Sequence, residues 1–368
     1  LTVQSPARLT ASPQRSGDVT IFINGRFVAQ PLSGVQRFAT EITRALLERA
    51  PEAVTILTPP TGRPAMAGAC AVGRGGGQVW EQLQLPGHAR GGVLVNLGNT
   101  APVLARRQVV VIHDAGVFRT PESYPAGFRL WYRVLHNVLA RSGARIVAVS
   151  EFTRQELVRS LRIPLRRVAV ISEGADHIGR LAADEAALGA AGLVPGRYVL
   201  AVGNLAAHKN LGALSPLSAA LAARDMPLVI TGGLDRSAFA APAACGLPHE
   251  ARYIGRVSDE ALKALYAHAA CFVFPSRYEG FGLPAVEAMF CGCPVVAADV
   301  PGLRETCGDA VLYCDPSAPA DIMAKVLRTT GDQALAARLR EAGLRRAARY
   351  RWADAADALL GVISACGQ

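Results

Sequence analysis

Lysine is nearly missing from these 368 residues: only Lys209, Lys263 and Lys325 occur, and none lies in the first half. Positive charge there is carried by arginine. Residues 1–180 hold 22 Arg against 11 Asp plus Glu, a formal +11, whereas residues 181–368 hold 17 basic and 18 acidic groups, a formal −1. A basic half without a polybasic run suits a surface that meets an anionic partner, such as a membrane face or a lipid-linked pyrophosphate; an Arg-rich composition alone is the bland alternative. No nucleic-acid motif and no basic helix with base-reading residues accompanies it, which argues against nucleic acid. Long apolar runs are missing too. The first 18 residues contain no apolar h-region, so neither a signal peptide nor a membrane anchor is expected, and they read as a mobile tail. The eight cysteines include no C-x-x-C pair and no Cys/His metal spacing, which favours reduced thiols in a cytosolic protein.

What is present is an alternation of short apolar runs with helical patterns, the signature of doubly wound parallel α/β sheets. The length fits two domains, and 51% hydrophobic residues suffices for two cores. In the first half, strands are expected at Thr20–Ile23, Val54–Leu57, Val93–Asn96, Val109–Ile112, Ile146–Val149 and Val168–Ile171. The Ala/Gly-rich residues 179–196 read as a linker with a short helix, which divides the chain into domains at 19–178 and 197–350. The second domain opens on the strand Tyr198–Val202 and repeats the pattern at Leu228–Thr231, Cys271–Phe274 and Val295–Ala298. Residues 126–141, AGFRLWYRVLHNVLAR, recur apolar at helical spacing beside Arg129 and Arg133. An ordinary helix packed on the sheet is the preferred reading, and a basic aromatic helix lying against a membrane interface is the other.

The most informative stretch is SRYEGFGLPAVEAMFCGCPVVAAD, residues 276–299. A buried strand stops at Pro275 and empties into a loop in which Gly280 and Gly282 flank Phe281 and let backbone approach a ligand. A helix then runs from Pro284 to about Cys291, and its free N–H groups and positive dipole end make an anion site. Glu279 before that helix and Glu287 about one turn inside it bracket the site, suiting the hydroxyl-bearing ends of a nucleotide-sugar. An isolated pair at this spacing is weak evidence, since a turn Glu and a surface-helix Glu would look the same. Other cleft candidates are Gly34 and Arg37, at the start of a helix, and His113 and Asp114, at the carboxyl end of a strand. Lys209 lies in a strand-to-helix loop where a cation could face a diphosphate.

The run PSRYEGFGLPAVEAMFCGCPVVA, continued by GDAVLYCDP at 308–316, closely resembles the family 4 retaining glycosyltransferases of the GT-B fold, and INGRFVAQPLSGVQRFATEI looks like that family's N-terminal glycine loop. The resemblance implies two Rossmann-like domains facing across a cleft, the first on the acceptor side and the second binding the nucleotide-sugar, with residues 351–368 a helix crossing back to the first. It implies that Glu279 contacts hydroxyls of the donor sugar, that the backbone from Gly280 through Phe281 and Gly282 to Leu283 holds sugar and phosphate, and that Glu287 holds the ribose. It places His113 at the donor sugar, Asp114 on the adjacent cleft wall, Gly34 and Arg37 on the acceptor side or at a phosphate, and the base near Arg256 and Val257. Members carry an Arg close behind the glycine at 203 and a Lys before the Asn at 210. Lys209 matches, but Asn204 replaces the Arg, which leaves Arg256 or Arg277 to supply the second charge.

His113, Glu279 and Lys209 are thus the catalytic candidates. No Asp-x-Asp occurs, so a metal-independent site and a front-face displacement with retention are expected, with no cofactor beyond the donor substrate. The combination of His113-Asp114, VSEFT, GRVSDEALKALYAHA and YEGFGLPAVEAM looks most like bacterial mannosyltransferases acting on a lipid-linked or oligosaccharide acceptor, which suggests GDP-mannose. UDP- or dTDP-sugars, a lapsed nucleotide-sugar-binding protein and a GT-B epimerase are the alternatives. The expected location is cytoplasmic, with peripheral contact at the inner membrane face through the basic half.

Overall fold

The computed structural model describes residues 19–60, 66, 68–233 and 246–367; the segment 1–18, read above as a mobile tail, lies outside the described residues. Seven strands form the first sheet: β1 (Ile21–Asn24), β2 (Val54–Thr58), β3 (Ala69–Ala71), β4 (Val93–Asn96), β5 (Gln108–Ile112), β6 (Arg145–Ala148) and β7 (Val168–Val170). Six form the second: β8 (Val199–Val202), β9 (Leu228–Thr231), β10 (Arg252–Tyr253), β11 (Cys271–Phe274), β12 (Val295–Ala298) and β13 (Leu312–Cys314). The orders are β3-β2-β1-β4-β5-β6-β7 and β10-β9-β8-β11-β12-β13, with every pairing parallel. Strands such as β5 and β11 are buried along their whole length, which is why they read as unbroken apolar runs. Each half is a Rossmann-like, doubly wound unit.

Strand order reverses between β1 and β4 in the first sheet and between β8 and β11 in the second. Loops after these strands diverge and leave a crevice at the carboxyl edge, where open α/β sheets receive ligands. The chain leaves the first unit after β7 through the turn Ile178–Arg180 and the helix Ala186–Ala190. It returns as the helix Trp352–Gly367, which packs on the helix Gly34–Arg49 and on β4 and β5. Trp352 is buried edge-on to Phe38, with ring centroids 5.6 Å apart. Gly174 makes room for it, since a Cβ there would lie 2.4 Å from the Trp352 backbone nitrogen.

Three strands have no counterpart in the sequence reading: β3, β13 and β10, the last only two residues long. β3 is three residues of Ala and Cys at a sheet edge, and β13 is three residues inside a stretch read only as a motif; neither is long enough to show a period. β1 leads into a short 3₁₀ turn, Gly25–Ala29, begun by the Asn24 side chain accepting from the Arg26 N–H at 3.3 Å. The helix Ala126–Arg141 buries Leu135, His136, Leu139 and Ala140, whereas Leu130, Trp131, Val134 and Val138 are exposed. Among the described residues no helix is long and apolar enough to cross a membrane.

Candidate active site

The loop after β11 builds one wall of the crevice. Gly282 adopts a left-handed conformation (φ 86°) and a Cβ there would meet Leu303 at 2.4 Å, so only glycine turns the chain into the helix Leu283–Phe290. Among the described residues, the N–H groups of Phe281, Gly282 and Leu283 have no hydrogen-bond acceptor. Three unpaired donors at a positive helix end form a seat for an anion. Beside it, Lys209 Nζ donates to Glu279 Oε1 at 2.7 Å, with both side chains largely buried at 17% and 11% exposure.

The loop after β8 supplies Lys209. Asn210, itself left-handed (φ 58°), donates to the Pro275 and Pro316 carbonyls at 3.1 and 2.8 Å, and this ties the two switch-point loops together. Gly203 donates to the Thr231 carbonyl at 3.0 Å. Asn204 accepts from the Ala206 N–H at 3.2 Å, so the residue standing where the resembling family has Arg shapes a turn here. Arg256 and Arg277 are exposed, and their guanidinium groups have no partner among the described residues; Val257 beside Arg256 is half-buried. Among the described residues, the β8–β11 crevice thus offers one paired ammonium and three unpaired amides.

Glu287 is buried within the helix Leu283–Phe290. Its Oε1 accepts from His177 Nε2 at 3.0 Å, and its Oε2 from the Tyr266 hydroxyl at 3.3 Å. Phe281 turns inward and packs edge-on against Tyr350, centroids 5.2 Å apart, so its backbone faces the crevice edge while its ring anchors the loop.

The facing wall comes from the first domain, and two side chains there take partners other than those expected. His113 ends β5, but its ring turns into its own domain and is 6% exposed. Nδ1 lies 3.2 Å from Glu173 Oε1 and Nε2 lies 2.9 Å from the Leu97 carbonyl. Acceptors at both nitrogens favour the doubly protonated ring. Burial alone would lower its pKa, but the hydrogen bond and charge of Glu173 outweigh that and raise it. The group of His113 that meets the second domain is its carbonyl, which a Cβ on Gly280 would approach to 2.0 Å. Arg37, expected at an anion, forms a two-pronged ion pair with Asp259 in the first turn of the helix Asp259–His268. The pair outweighs the cost of burial and raises the Arg37 pKa. Gly34 opens its helix with no atom within 4 Å of its Cβ position, which leaves that backbone approachable.

Asp114 accepts from the Gly116 N–H at 2.6 Å. Its charge adds to burial in raising the pKa of Tyr124 and Tyr278, whose hydroxyls stay neutral. The Tyr278 hydroxyl accepts from the Ala115 N–H at 3.0 Å, and Ser150 Oγ donates to the Gly280 carbonyl at 2.5 Å, so the loop after β11 is gripped by the opposite domain. The Glu305 carboxylate accepts from the Glu151 and Phe152 N–H groups, both at 2.7 Å, and caps a first-domain helix from the second domain. His208, next to Lys209, bonds Ser123 through Nδ1 at 3.0 Å; burial, then the Lys209 charge, push its pKa down to about 4.

The structure therefore brings Lys209, Glu279 and the 280–283 backbone to one seat, with Glu287 fixed behind it. His177, Tyr266, Trp352, Tyr278 and Glu305 are additions to the sequence-read set. No local motif marks them.

Comparison with known proteins agrees with this geometry. A family model described as glycosyl transferases group 1 matches residues 194–346. An O-antigen chain mannosyltransferase B of Escherichia coli is 34% identical over 261 residues, covering 68% of this chain and 68% of that protein. A GDP-mannose:cellobiosyl-diphosphopolyprenol alpha-mannosyltransferase of Komagataeibacter xylinus is 31% identical over 237 residues, covering 61% of this chain and 56% of that protein. Among solved structures, Anabaena HepE in complex with UDP and glucose superposes with a TM-score of 0.72 at 15% identity, covering 94% of this chain and all (100%) of that one.

Proposed function

The chain belongs to the group 1 glycosyl transferases, and on that premise we propose that it moves mannose from GDP-mannose to a lipid-linked or oligosaccharide acceptor, with retention and without a metal ion or organic cofactor. It is a glycosyltransferase of bacterial polysaccharide synthesis with mannosyltransferase relatives; the donor, stereochemistry and acceptor are the proposed part. One observation carries the reading. The unpaired amides of Phe281, Gly282 and Leu283 open beside the Lys209–Glu279 pair at the β8–β11 switch point, the arrangement that a sugar diphosphate requires.

In this mechanism the diphosphate settles on the three amides and draws Lys209 toward it, while Glu279 turns to accept from sugar hydroxyls. The bond from the anomeric carbon to the phosphate oxygen breaks, and the acceptor oxygen bonds to that carbon on the same face. The acceptor proton passes to the departing phosphate oxygen. Lys209 and the amides stabilise the charge that develops there, and the sequence contains no Asp-x-Asp pair that would suggest a metal in that role. Glu287 receives the ribose. The exposed Leu130, Trp131, Val134 and Val138, beside Arg133 and Arg141, support peripheral contact with an anionic membrane near the acceptor. Binding to phosphatidylglycerol vesicles, but not phosphatidylcholine vesicles, is expected in flotation, with Trp131→Glu/Val134→Glu releasing the protein; equal binding by the double variant would refute this surface.

Thermal shift against GDP, UDP, ADP, dTDP and CDP tests the donor. A ligand at a hundredfold excess over its Kd adds about 2.7 kcal/mol to the native state. GDP alone should raise the Tm, and Glu287→Ala should abolish the shift. Stabilisation by UDP instead would replace the donor while keeping the site.

A further inference from the structure

We propose that His177 is a positioning residue for Glu287, and that Trp352 sets its tautomer, so that both chain crossings between the domains fix the carboxylate that receives the nucleotide. This rests on the nucleotide-sugar reading of Glu287 given above. The Trp352 indole nitrogen can only donate, and it donates to His177 Nδ1 at 3.1 Å. His177 Nδ1 is therefore unprotonated, the ring proton sits on Nε2, and Nε2–H donates to Glu287 Oε1 at 3.0 Å. The Tyr266 hydroxyl occupies Oε2 from the other side. Each carboxylate oxygen is tied once from within the protein and keeps a lone pair for the two hydroxyls of a ribose.

The location matters as much as the chain of bonds. His177 precedes the turn Ile178–Arg180, where the polypeptide leaves the first domain, and Trp352 begins the helix that returns to it. The two crossings are locked together by the Trp352 N–H donating to Asp176 Oδ1 at 2.8 Å. His177 and Trp352 are both almost fully buried, so water does not compete for either bond. Glu287 is thereby oriented by the hinge rather than by the helix that carries it, and a ring that rotated or changed tautomer would offer it a lone pair instead of a proton.

The test titrates GDP and UDP calorimetrically into wild type, His177→Leu, His177→Gln, Trp352→Phe and Glu287→Ala. His177→Leu should weaken the bound nucleoside diphosphate about tenfold and raise the donor KM equally, with kcat changed less than about threefold, because a hydrogen bond to a charged group is lost outside the reacting atoms. His177→Gln, which restores an N–H toward Glu287, should recover most of the affinity, as a purely packing role would not allow. Histidine ¹⁵N spectra should show His177 protonated at Nε2 in wild type and a mixture of tautomers in Trp352→Phe. Wild-type affinity in His177→Leu alongside lost affinity in Glu287→Ala overturns the proposal, as does a proton on Nδ1. Undiminished binding by Glu287→Ala would instead sink the ribose reading beneath it.

Discussion

Lys209→Ala should lower kcat by about 10²- to 10³-fold while the donor KM changes far less, the loss typical of a donor that acts on charge developing in the transition state. The ammonium is held 2.7 Å from Glu279 and lies 5.5 Å over the Phe274 ring, so it reaches the seat already placed and largely stripped of water. Its partner makes the effect larger. Without Lys209, Glu279 becomes a poorly solvated carboxylate with no compensating cation, and it repels the diphosphate that the 281–283 amides attract. Lys209→Arg should restore only part of the rate, because a planar guanidinium spreads the charge that the compact ammonium concentrates. Steady-state rates with saturating donor, backed by single-turnover measurements, check this. A kcat within about fivefold of wild type in Lys209→Ala would move the charge-stabilising role to Arg256 or Arg277.

The contrast between Lys209 and Arg37 shows what could be read from the sequence. Both are cations beside a strand-to-helix junction, and both were placed at an anion. Lys209 could be placed because it follows a legible strand and precedes Asn210, although the bonds that hold its loop, from Asn210 to Pro275 and Pro316, are long-range too. Arg37 is set by Asp259, 222 residues away in sequence, which no local pattern announces. His113 behaves like Arg37: the end of β5 was legible, but the ring's direction depends on Glu173, 60 residues on. Parallel sheets explain the division. Their strands are buried on both faces and read as bounded apolar runs, so most of the alternation, and with it the Rossmann-like architecture, was visible. Contacts across the cleft join loops from strands distant in sequence, so Tyr278, Glu305, His177 and Trp352 left no spacing to find. The local exceptions were β3, β10 and β13, strands of two or three residues that are too brief to carry a period.

Gly280→Ala should reduce kcat by about 10²-fold or more and leave nucleoside diphosphate affinity within about threefold of wild type. An added Cβ would lie 2.0 Å from the His113 carbonyl oxygen and 3.0 Å from Thr153 Oγ1. Both obstacles belong to the opposite domain, and the nearer one is backbone at the end of a buried strand, which cannot yield. Gly280 does not occupy the left-handed region, so alanine suits its backbone and the second domain should fold with its anion seat intact. The clash therefore acts on domain approach alone. The same approach is needed for Ser150 to reach the Gly280 carbonyl, for Ala115 to reach Tyr278, for Arg37 to meet Asp259 and for Glu305 to cap its helix, so one methyl group opposes all four. Solution scattering should show a larger radius of gyration for the variant in the presence of nucleotide, and titration should show binding retained. Wild-type turnover by Gly280→Ala would mean that the reaction does not require the domain arrangement seen here, and the catalytic surface would then have to be sought on the second domain alone.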